Sequence, residues 1–297
     1  RHDRKFGKEE LYHTWENVNI VTLNTDWIKR MDDHKLHLGI DGTLSFLKST
    51  ANTENVVTGE KGYNTTRYPD GGNSMHTVEA FATHVWNISQ KLSMHDGIRL
   101  GYATTYSSVK DTEQFPFFGG GSQRKNNLTY SAAIGLNYLP SKTWKTAFSM
   151  STAYRVPNID NTSKVFDSKV GTVTISNKHI RPEKTVSADL NITKHVADVL
   201  TWENVVYATY YFDAITTARG TFMGGSQMEY QGELCDVYTY TNAKTAVLWG
   251  ASSSLTAKPS RQTELYASFN YTYGRILSGG KRQPLDHIPP IYGRVGA

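Results

Sequence analysis

The side chains that could bind a ligand in this 297-residue chain fall in the long segments between its regular stretches. His179 carries an imidazole that could ligate iron, although an exposed loop histidine is more often simply solvated. His76, near the foot of another such segment, is a second candidate. Tyr63, Arg67 and Tyr230 could make polar contacts with a ligand. These residue types could contact a ligand.

A run of aromatic residues, Phe115-Pro116-Phe117-Phe118, occupies one long segment. Clustered apolar side chains at a surface need a reason, because they would otherwise be exposed to water. Phe115, Phe117 and Phe118 could fold over a planar aromatic ligand such as haem or a catecholate, or they could pack into neighbouring loops. A negatively charged ligand would need cations, and the nearby candidates are Lys61, Arg67, Arg124 and Lys125.

The sequence contains no recognisable catalytic motif. It lacks a Gly-x-Ser-x-Gly elbow, a His-Glu-x-x-His pair and a phosphate-binding loop, and its carboxylates are scattered. The glycine runs 119–121 and 224–225 are read as turns. The net charge of +5 is spread along the chain with no basic, aromatic-rich cluster for nucleic acid. We therefore predict that the protein is not an enzyme, uses no cofactor and binds no nucleic acid.

Long apolar–polar alternations define the elements that position these residues. Leu36, Leu38 and Ile40 alternate with polar residues or glycine, and the same pattern recurs in 144–155 and 263–273. A period of two gives a strand one apolar and one polar face. Soluble strands centre on about five or six residues, whereas a membrane-crossing strand needs about nine to eleven. The length of these runs favours membrane-crossing strands.

The connections between the strands alternate between short and long. The short ones are predicted at 31–34, 89–97, 140–143, 195–199 and 258–262. The long ones are predicted at 50–75, 107–125, 157–184, 215–236 and 275–290. Such alternation is typical of an up-and-down membrane barrel, in which one rim carries tight turns and the other carries surface loops. The fold class is therefore predicted as all-β, a transmembrane antiparallel up-and-down β-barrel.

Aromatic residues support two membrane interfaces. Trp27, Trp86, Trp144 and Trp202 lie next to short turns. The tyrosines that lie toward the long segments include Tyr106, Tyr130, Tyr154, Tyr210 and Tyr273. Membrane barrels carry one aromatic girdle at each interface. A general preference of aromatics for strands does not explain why the tryptophans gather at one rim.

The sequence predicts only part of a barrel. About ten full strands and part of another can be counted, and no apolar run is long enough for a helical span. Open sheet edges in lipid cost several kcal/mol for each unpaired backbone group. We therefore expect residues 1–297 to form a single domain that is part of a larger closed barrel, and the isolated fragment to aggregate or stay unfolded in detergent. The alternative is a closed ten-stranded barrel, although no segment resembles a terminal closing strand.

Four motifs carry a resemblance to a known family. They are Tyr-Arg-Val-Pro-Asn-Ile-Asp at 154–160, Asn-Lys-His-Ile-Arg-Pro-Glu-Lys at 177–184, Pro-Leu-Asp-His-Ile-Pro-Pro at 284–290 followed by Tyr-Gly-Arg at 292–294, and Thr-Arg-Tyr-Pro-Asp-Gly at 66–71. In this order they resemble the motifs of TonB-dependent outer-membrane receptors. The resemblance covers roughly residues 60 to 297.

The resemblance implies a 22-stranded barrel plugged by an N-terminal domain. This chain would supply about 10–11 central-to-late strands, without the plug, the TonB box or the closing strands. The implied function is active import of a scarce iron chelate, such as a ferric siderophore or haem, energised by the TonB complex. The implied partners are TonB, through the missing N-terminal segment, the chelate, and the lipid and lipopolysaccharide of a Gram-negative outer membrane.

The resemblance also bears on the cargo. Haem receptors of this kind have a histidine iron ligand between the first two motifs, but here no histidine occurs from Tyr154 to Lys178, and the nearest is His179. Tyr154 and Arg155 are candidate substrate contacts. Alternatively, the motifs are structural, with Pro157 ending a strand and Arg155 on the polar face beside an acidic partner.

Two other classes of function remain open. A passive diffusion channel would need no plug and would fold one loop inward as a constriction. A non-transport protein would be a surface barrel or adhesin, or a large soluble β-domain. The soluble form predicts that the apolar face of 36–46 is covered by protein rather than by lipid.

Overall fold

The chain forms one antiparallel meander. The computed structural model describes residues 2–4, 9–112, 118, 121–164, 166–169, 171–197, 199–230, 233–278, 281–285 and 288–297. Its main strands are β2 Glu10–Met31, β3 His34–Asn55, β5 Gly72–Asn87, β6 Leu92–Ser108, β7 Ser122–Ser141, β8 Trp144–Arg155, β11 Glu183–Val196, β12 Leu200–Arg219, β14 Glu233–Ser260, β15 Thr263–Ser278 and β17 Tyr292–Gly296. Each pairs antiparallel with the next in this order.

Shorter elements precede the main strands or lie in the connections between them. They are β1 His2–Arg4, β4 Lys61–Tyr63, β9 Phe166–Lys169, β10 Thr172–Ile175, β13 Gln227–Tyr230, β16 Lys281–Pro284 and the helix α1, Ile159–Thr162. Among the described residues, no helix is long and apolar enough to span a membrane. The described residues also show no ladder between β2 and β17, so the barrel is not closed within this chain.

The strands are longer than the alternation predicts. β2 and β3 have 22 residues each, β12 has 20 and β14 has 28. The long connections predicted at 50–75 and 215–236 were therefore drawn too wide, since β3 continues to Asn55 and β12 to Arg219. Ladder hydrogen bonds do not depend on side-chain polarity, so the backbone pairing can continue after the apolar alternation has ended.

The tight turns lie close to the predicted positions. The residues between main strands are 32–33, 88–91, 142–143, 197–199 and 261–262. The prediction of a connection over 89–97 was too long, because β6 begins at Leu92. Asp96-Gly97 is a common turn signal, yet both residues sit in the ladder opposite His84 and Thr83. The four predicted rim tryptophans lie in strand residues near these turns.

The sheet has two chemically distinct faces. We call the outer face the one that carries exposed apolar side chains, among them Leu38, Ile40, Phe46, Ile98, Leu100 and Leu128. The inner face carries their neighbours in sequence, including His37, Asp41, Glu79, Arg99 and Thr129. Ile98 and Leu100 are each 57% exposed. A sheet face with so many exposed apolar side chains needs an apolar environment, which lipid supplies.

One long connection lies across the inner face. We call residues 156–182, between β8 and β11, the crossing loop. Its helix α1 contacts β5 and β6, while Thr172–Ile175 of β10 pairs parallel with Asp236–Thr239 of β14. At the second contact Val173, Ile175, Cys235 and Val237 form a small buried apolar cluster. The crossing loop therefore connects distant parts of the wall.

Candidate ligand-binding surface on the inner face

A charged cluster occupies the middle of the inner face. The Arg99 Nη1 atom lies 2.8 Å from Asp41 Oδ2 and 2.8 Å from Glu79 Oε2. The guanidinium also lies 4.9 Å from the centroid of the Phe81 ring. The Tyr154 hydroxyl donates to Glu79 Oε1. Two carboxylates thus share one guanidinium, and the tyrosine satisfies a remaining carboxylate oxygen.

Strict alternation along β8 predicts that Tyr154 lies with the outer-face aromatics. Instead, its hydroxyl contacts Glu79 of the inner face. The ladder between β7 and β8 ends at Ala133 and Ser151. Beyond that point the Thr152 hydroxyl, rather than a strand carbonyl, accepts the Ala132 amide. Because β8 leaves its neighbour there, Tyr154 can turn toward Glu79. The prediction that Tyr154 belongs to the tyrosine girdle was wrong.

The motifs at 154–160 and 177–184 contact each other at the base of the crossing loop. Arg155 Nε lies 3.3 Å from Glu183 Oε1, so the acidic partner expected for Arg155 is Glu183. The second oxygen of Glu183 accepts the Ile215 amide at 2.7 Å. Pro157 and Ile180, from the same two motifs, are fully buried. This arrangement favours the structural interpretation of the motifs.

The 66–71 motif joins the same assembly. The Tyr68 hydroxyl donates to Asp160 Oδ1 at 2.6 Å, and Lys164 Nζ lies 3.4 Å from the same carboxyl oxygen. Burial and the hydrogen bond to Asp160 raise the pKa of the Tyr68 phenol well above its usual value. The phenol therefore remains a hydrogen-bond donor at physiological pH.

Asn177 holds the far end of the crossing loop in place. Its amide donates to Asn161 O at 3.2 Å, and its side-chain Nδ2 donates to Tyr240 O at 2.8 Å. Its Oδ1 accepts the His179 amide at 2.9 Å. The conformation of the segment that carries His179 is therefore fixed by hydrogen bonds on both sides of Asn177.

A polar cavity lies between the crossing loop and strands β6 and β7. Its volume is about 360 Å³. The lining residues are Thr105, Ser107, Ser122, Gln123, Arg124, Lys125, Thr162, Ser163, Lys178 and His179. This set includes Lys125, Lys178 and His179 but no carboxylate, so an anionic group would be favoured there. We call it the basic cavity.

The candidates from the sequence are divided between this cavity and other places. His179 and Lys125 line it, and Arg124 does so while its guanidinium lies 5.7 Å from the Tyr106 ring centroid. Arg67 is partly buried next to Tyr68 and is not among the lining residues. The structure therefore brings His179 and Lys125 together, although the sequence placed them in separate segments.

Other candidates make structural contacts. Phe118 is buried against Val109 of its own connection between β6 and β7, while Phe115 and Phe117 lie outside the described residues. Tyr230 packs on the apolar cluster beneath the crossing loop. Tyr63 is exposed, with its hydroxyl 3.4 Å from Asp111.

His76 lies away from the basic cavity. It is paired with Leu44 of the outer face, and its ring packs edge-on against Phe46 at 5.1 Å. Among the described residues, no group of three or more histidine, cysteine, aspartate or glutamate side chains is arranged to hold a metal ion. Neither His76 nor His179 therefore belongs to a preformed metal centre in the described part of the chain.

The charged cluster and Lys178 were missed in the sequence. Asp41, Glu79 and Arg99 each sit at a polar position of an alternating strand, which is a visible signal. Their mutual contact depends on the register of β3, β5 and β6, which the sequence does not specify. Lys178 lines the basic cavity only because the crossing loop folds back onto strands β6 and β7.

The fold and the inner face define a class of protein: a segment of a large antiparallel barrel with an apolar outer face and a polar inner face. The family model described as TonB dependent receptor-like, beta-barrel matches residues 3–297. The chain belongs to the TonB-dependent receptor β-barrel family. No curated protein matches it significantly.

Solved structures share the fold. The copper transporter OprC matches with a TM-score of 0.76 at 17% identity, covering 96% of this chain and 41% of OprC. The ferric yersiniabactin uptake receptor FyuA from Yersinia pestis matches with a TM-score of 0.62 at 12% identity, covering 97% of this chain and 40% of FyuA.

The Serratia marcescens hemophore receptor HasR, solved with its hemophore HasA and heme, matches with a TM-score of 0.62 at 13% identity, covering 96% of this chain and 49% of HasR. This chain therefore spans less than half the length of each of these three structures. At such identities the likeness concerns the fold alone.

Proposed function

We propose that this chain is the central-to-late barrel wall of an outer-membrane transporter that imports a metal chelate. Family membership across residues 3–297 is the observation that carries this proposal. The apolar outer face suits the lipid and lipopolysaccharide of a Gram-negative outer membrane. The polar inner face suits a path for a hydrophilic cargo.

The energy for import would come from the TonB complex, which would act through an N-terminal segment of the full protein. The cargo would be a scarce iron chelate, either a ferric siderophore or haem. Among the similar structures, one receptor is described with ferric yersiniabactin and one with heme, and a third is a copper transporter. The chelate would be substrate rather than cofactor, and no covalent chemistry is proposed.

Within this chain the polar character of the basic cavity favours a ferric siderophore over haem. A haem pocket needs apolar walls for the macrocycle and an axial ligand, whereas the cavity is lined by hydroxyls and cations. His179 would then act as a hydrogen-bonding residue rather than an iron ligand. Tyr154 and Arg155 would act indirectly, since both are engaged by glutamates.

The test is uptake of radiolabelled iron by cells that produce the full-length receptor. We expect uptake of at least one ferric siderophore in cells with an intact TonB complex, and its loss when TonB is deleted. A control strain would carry the receptor with its N-terminal TonB-contacting segment removed. Uptake that continues unchanged without TonB would refute energised import.

A passive channel is the second candidate, and the crossing loop is the observation that favours it. A loop folded against the inner face is the constriction expected of a diffusion channel. Conductance across a planar bilayer distinguishes the two candidates. A receptor with its plug in place should show no stable open current, whereas a channel should conduct continuously without TonB.

A further inference from the structure

Lys125 is a cation on the inner face that has no anionic partner among the described residues. It pairs in the ladder with Thr105 of β6, and alternation places both side chains on the inner face, because Leu128 and Tyr130 of the same strand are outer-face residues. Its ammonium lies 3.5 Å from Lys178 O. Within the described part of the chain, no carboxylate lies within 4 Å of it.

Arg99 shows what a structural cation on this face looks like. Its guanidinium contacts two carboxylates at 2.8 Å each. Lys125 is also partly buried, yet its ammonium contacts the backbone carbonyl of Lys178 rather than a carboxylate. Burial of a charge is unfavourable unless the charge is paired. As far as the structure describes the chain, a negatively charged group would therefore complete the surroundings of Lys125.

The cavity next to Lys125 can supply neutral hydrogen bonds to such a group. Ser107 and Ser163 are each 1% exposed, and the Ser163 hydroxyl donates to Ser107 Oγ at 2.7 Å. Ser107 thus accepts one bond and keeps its own proton to donate. Lys178 and His179 are exposed at the rim of the cavity. The cavity offers donors on several sides.

We propose that the basic cavity binds a negatively charged oxygen group of the transported chelate, with Lys125 as the principal contact. The group is a carboxylate or a catecholate, since both present anionic oxygens to an ammonium and to hydroxyl donors. A volume of about 360 Å³ suits one arm of a chelate. This assignment rests on the proposed function and adds the charge of the cargo to it.

The experiment measures chelate binding to the detergent-solubilised full-length receptor by isothermal titration calorimetry. The probes are ferric citrate and a ferric tricatecholate, both anionic, and a neutral ferric trihydroxamate. Lys125→Gln should weaken binding of the tighter anionic probe about tenfold or more, because a charge-assisted hydrogen bond contributes about 1.5–3 kcal/mol. Lys125→Arg should retain most of the affinity.

The control variant is Lys145→Gln, which removes a lysine from the turn end of β8. It should bind every probe as the wild type does. Melting temperatures of the three variants should match that of the wild type, so that a loss of affinity cannot reflect unfolding. Raised salt should weaken anionic binding in the wild type and much less in Lys125→Gln.

Three results would overturn the proposal: unchanged affinity in Lys125→Gln, an equal loss in Lys145→Gln, or a wild-type receptor that prefers the neutral probe. Binding in detergent needs no TonB. Charge-selective binding without TonB-dependent uptake would therefore refute the transport proposal and leave the cavity assignment intact.

Discussion

At the scale of single residues, Glu183 shows how one motif side chain can hold two elements together. Its two oxygens accept from Arg155 of β8 and from the Ile215 amide of β12. Its own strand, β11, lies between those two strands in the sheet. A carboxylate that accepts from both a side chain and a backbone amide is difficult to replace, because its loss leaves the partly buried Ile215 amide unpaired.

We expect Glu183→Ala to destabilise the full-length protein by about 1–3 kcal/mol, since the Ile215 amide would lose its acceptor. Urea-induced unfolding in detergent would measure the change in free energy. Glu183→Gln is the matched control, because its amide oxygen can still accept from Ile215 while the ion pair with the half-exposed Arg155 contributes little. Equal losses in the two variants would show that the charge, not the acceptor, matters.

Tyr68→Phe should loosen the crossing loop by removing the hydrogen bond to Asp160, which contributes about 1 kcal/mol. Hydrogen–deuterium exchange of the amides of residues 159–164 should quicken about fivefold, as that energy predicts. Tyr63→Phe is the control, because its exposed hydroxyl makes only a 3.4 Å contact with Asp111. Unchanged exchange in Tyr68→Phe would show that this hydrogen bond does not hold α1 in place.

The pH dependence of this contact follows from the same geometry. Because burial and Asp160 raise the pKa of Tyr68, its folded-state pKa lies above that of the unfolded chain. The stabilisation is therefore fully present below about pH 10, the usual tyrosine value, and is lost only as the pH rises through the raised value. Exchange in wild-type residues 159–164 should accordingly not quicken through loss of this bond between pH 6 and 9.

At the scale of the strands, the alternation of apolar and polar side chains predicted the faces of β3 correctly. Leu38, Ile40, Leu44 and Phe46 are exposed on the outer face, as a lipid-facing row requires. The ends of the strands were not predictable in this way. Residues 47–55 keep pairing with β2 although their sequence is mostly polar, because ladder hydrogen bonds do not depend on side-chain polarity.

The two faces should differ in their tolerance of charge. Ile40→Arg on the outer face of β3 should cost about 2–4 kcal/mol near the bilayer midplane, because the guanidinium would enter lipid. Thr43→Arg on the inner face of the same strand should cost much less. Unfolding of the full-length protein in phospholipid vesicles would measure both. Similar costs would indicate that the outer face does not contact lipid.

At the scale of the whole molecule, the sheet has an unfinished edge. From Glu16 to Met31, β2 meets a neighbouring strand in the described structure only on its β3 side. The sequence predicted such an edge from the count of strands. The motifs at 66–71 and 154–160 are visible in the sequence, but their mutual contact is not, because Tyr68 and Asp160 are 92 residues apart.

We expect the backbone amides of residues 16–31 that point away from β3 to exchange slowly in the full-length receptor and rapidly in the isolated chain. In a closed barrel another strand would pair with them, since lipid tolerates no bare edge. Hydrogen–deuterium exchange in matched detergent would compare the two proteins, with β6 as an internal reference. Equal and slow exchange in both would mean that this chain closes on itself.

The parallel pairing of Thr172–Ile175 with Asp236–Thr239 also has a consequence for the order of assembly. The chain reaches β14 only after β11 and β12 have been made, so the partner of β10 does not exist while the crossing loop is being synthesised. Pairings distant in sequence form late, because the intervening chain must first be ordered. The crossing loop should thus be the last part of this wall to dock. A protease added during biogenesis should therefore cut it in immature chains and spare it in mature ones.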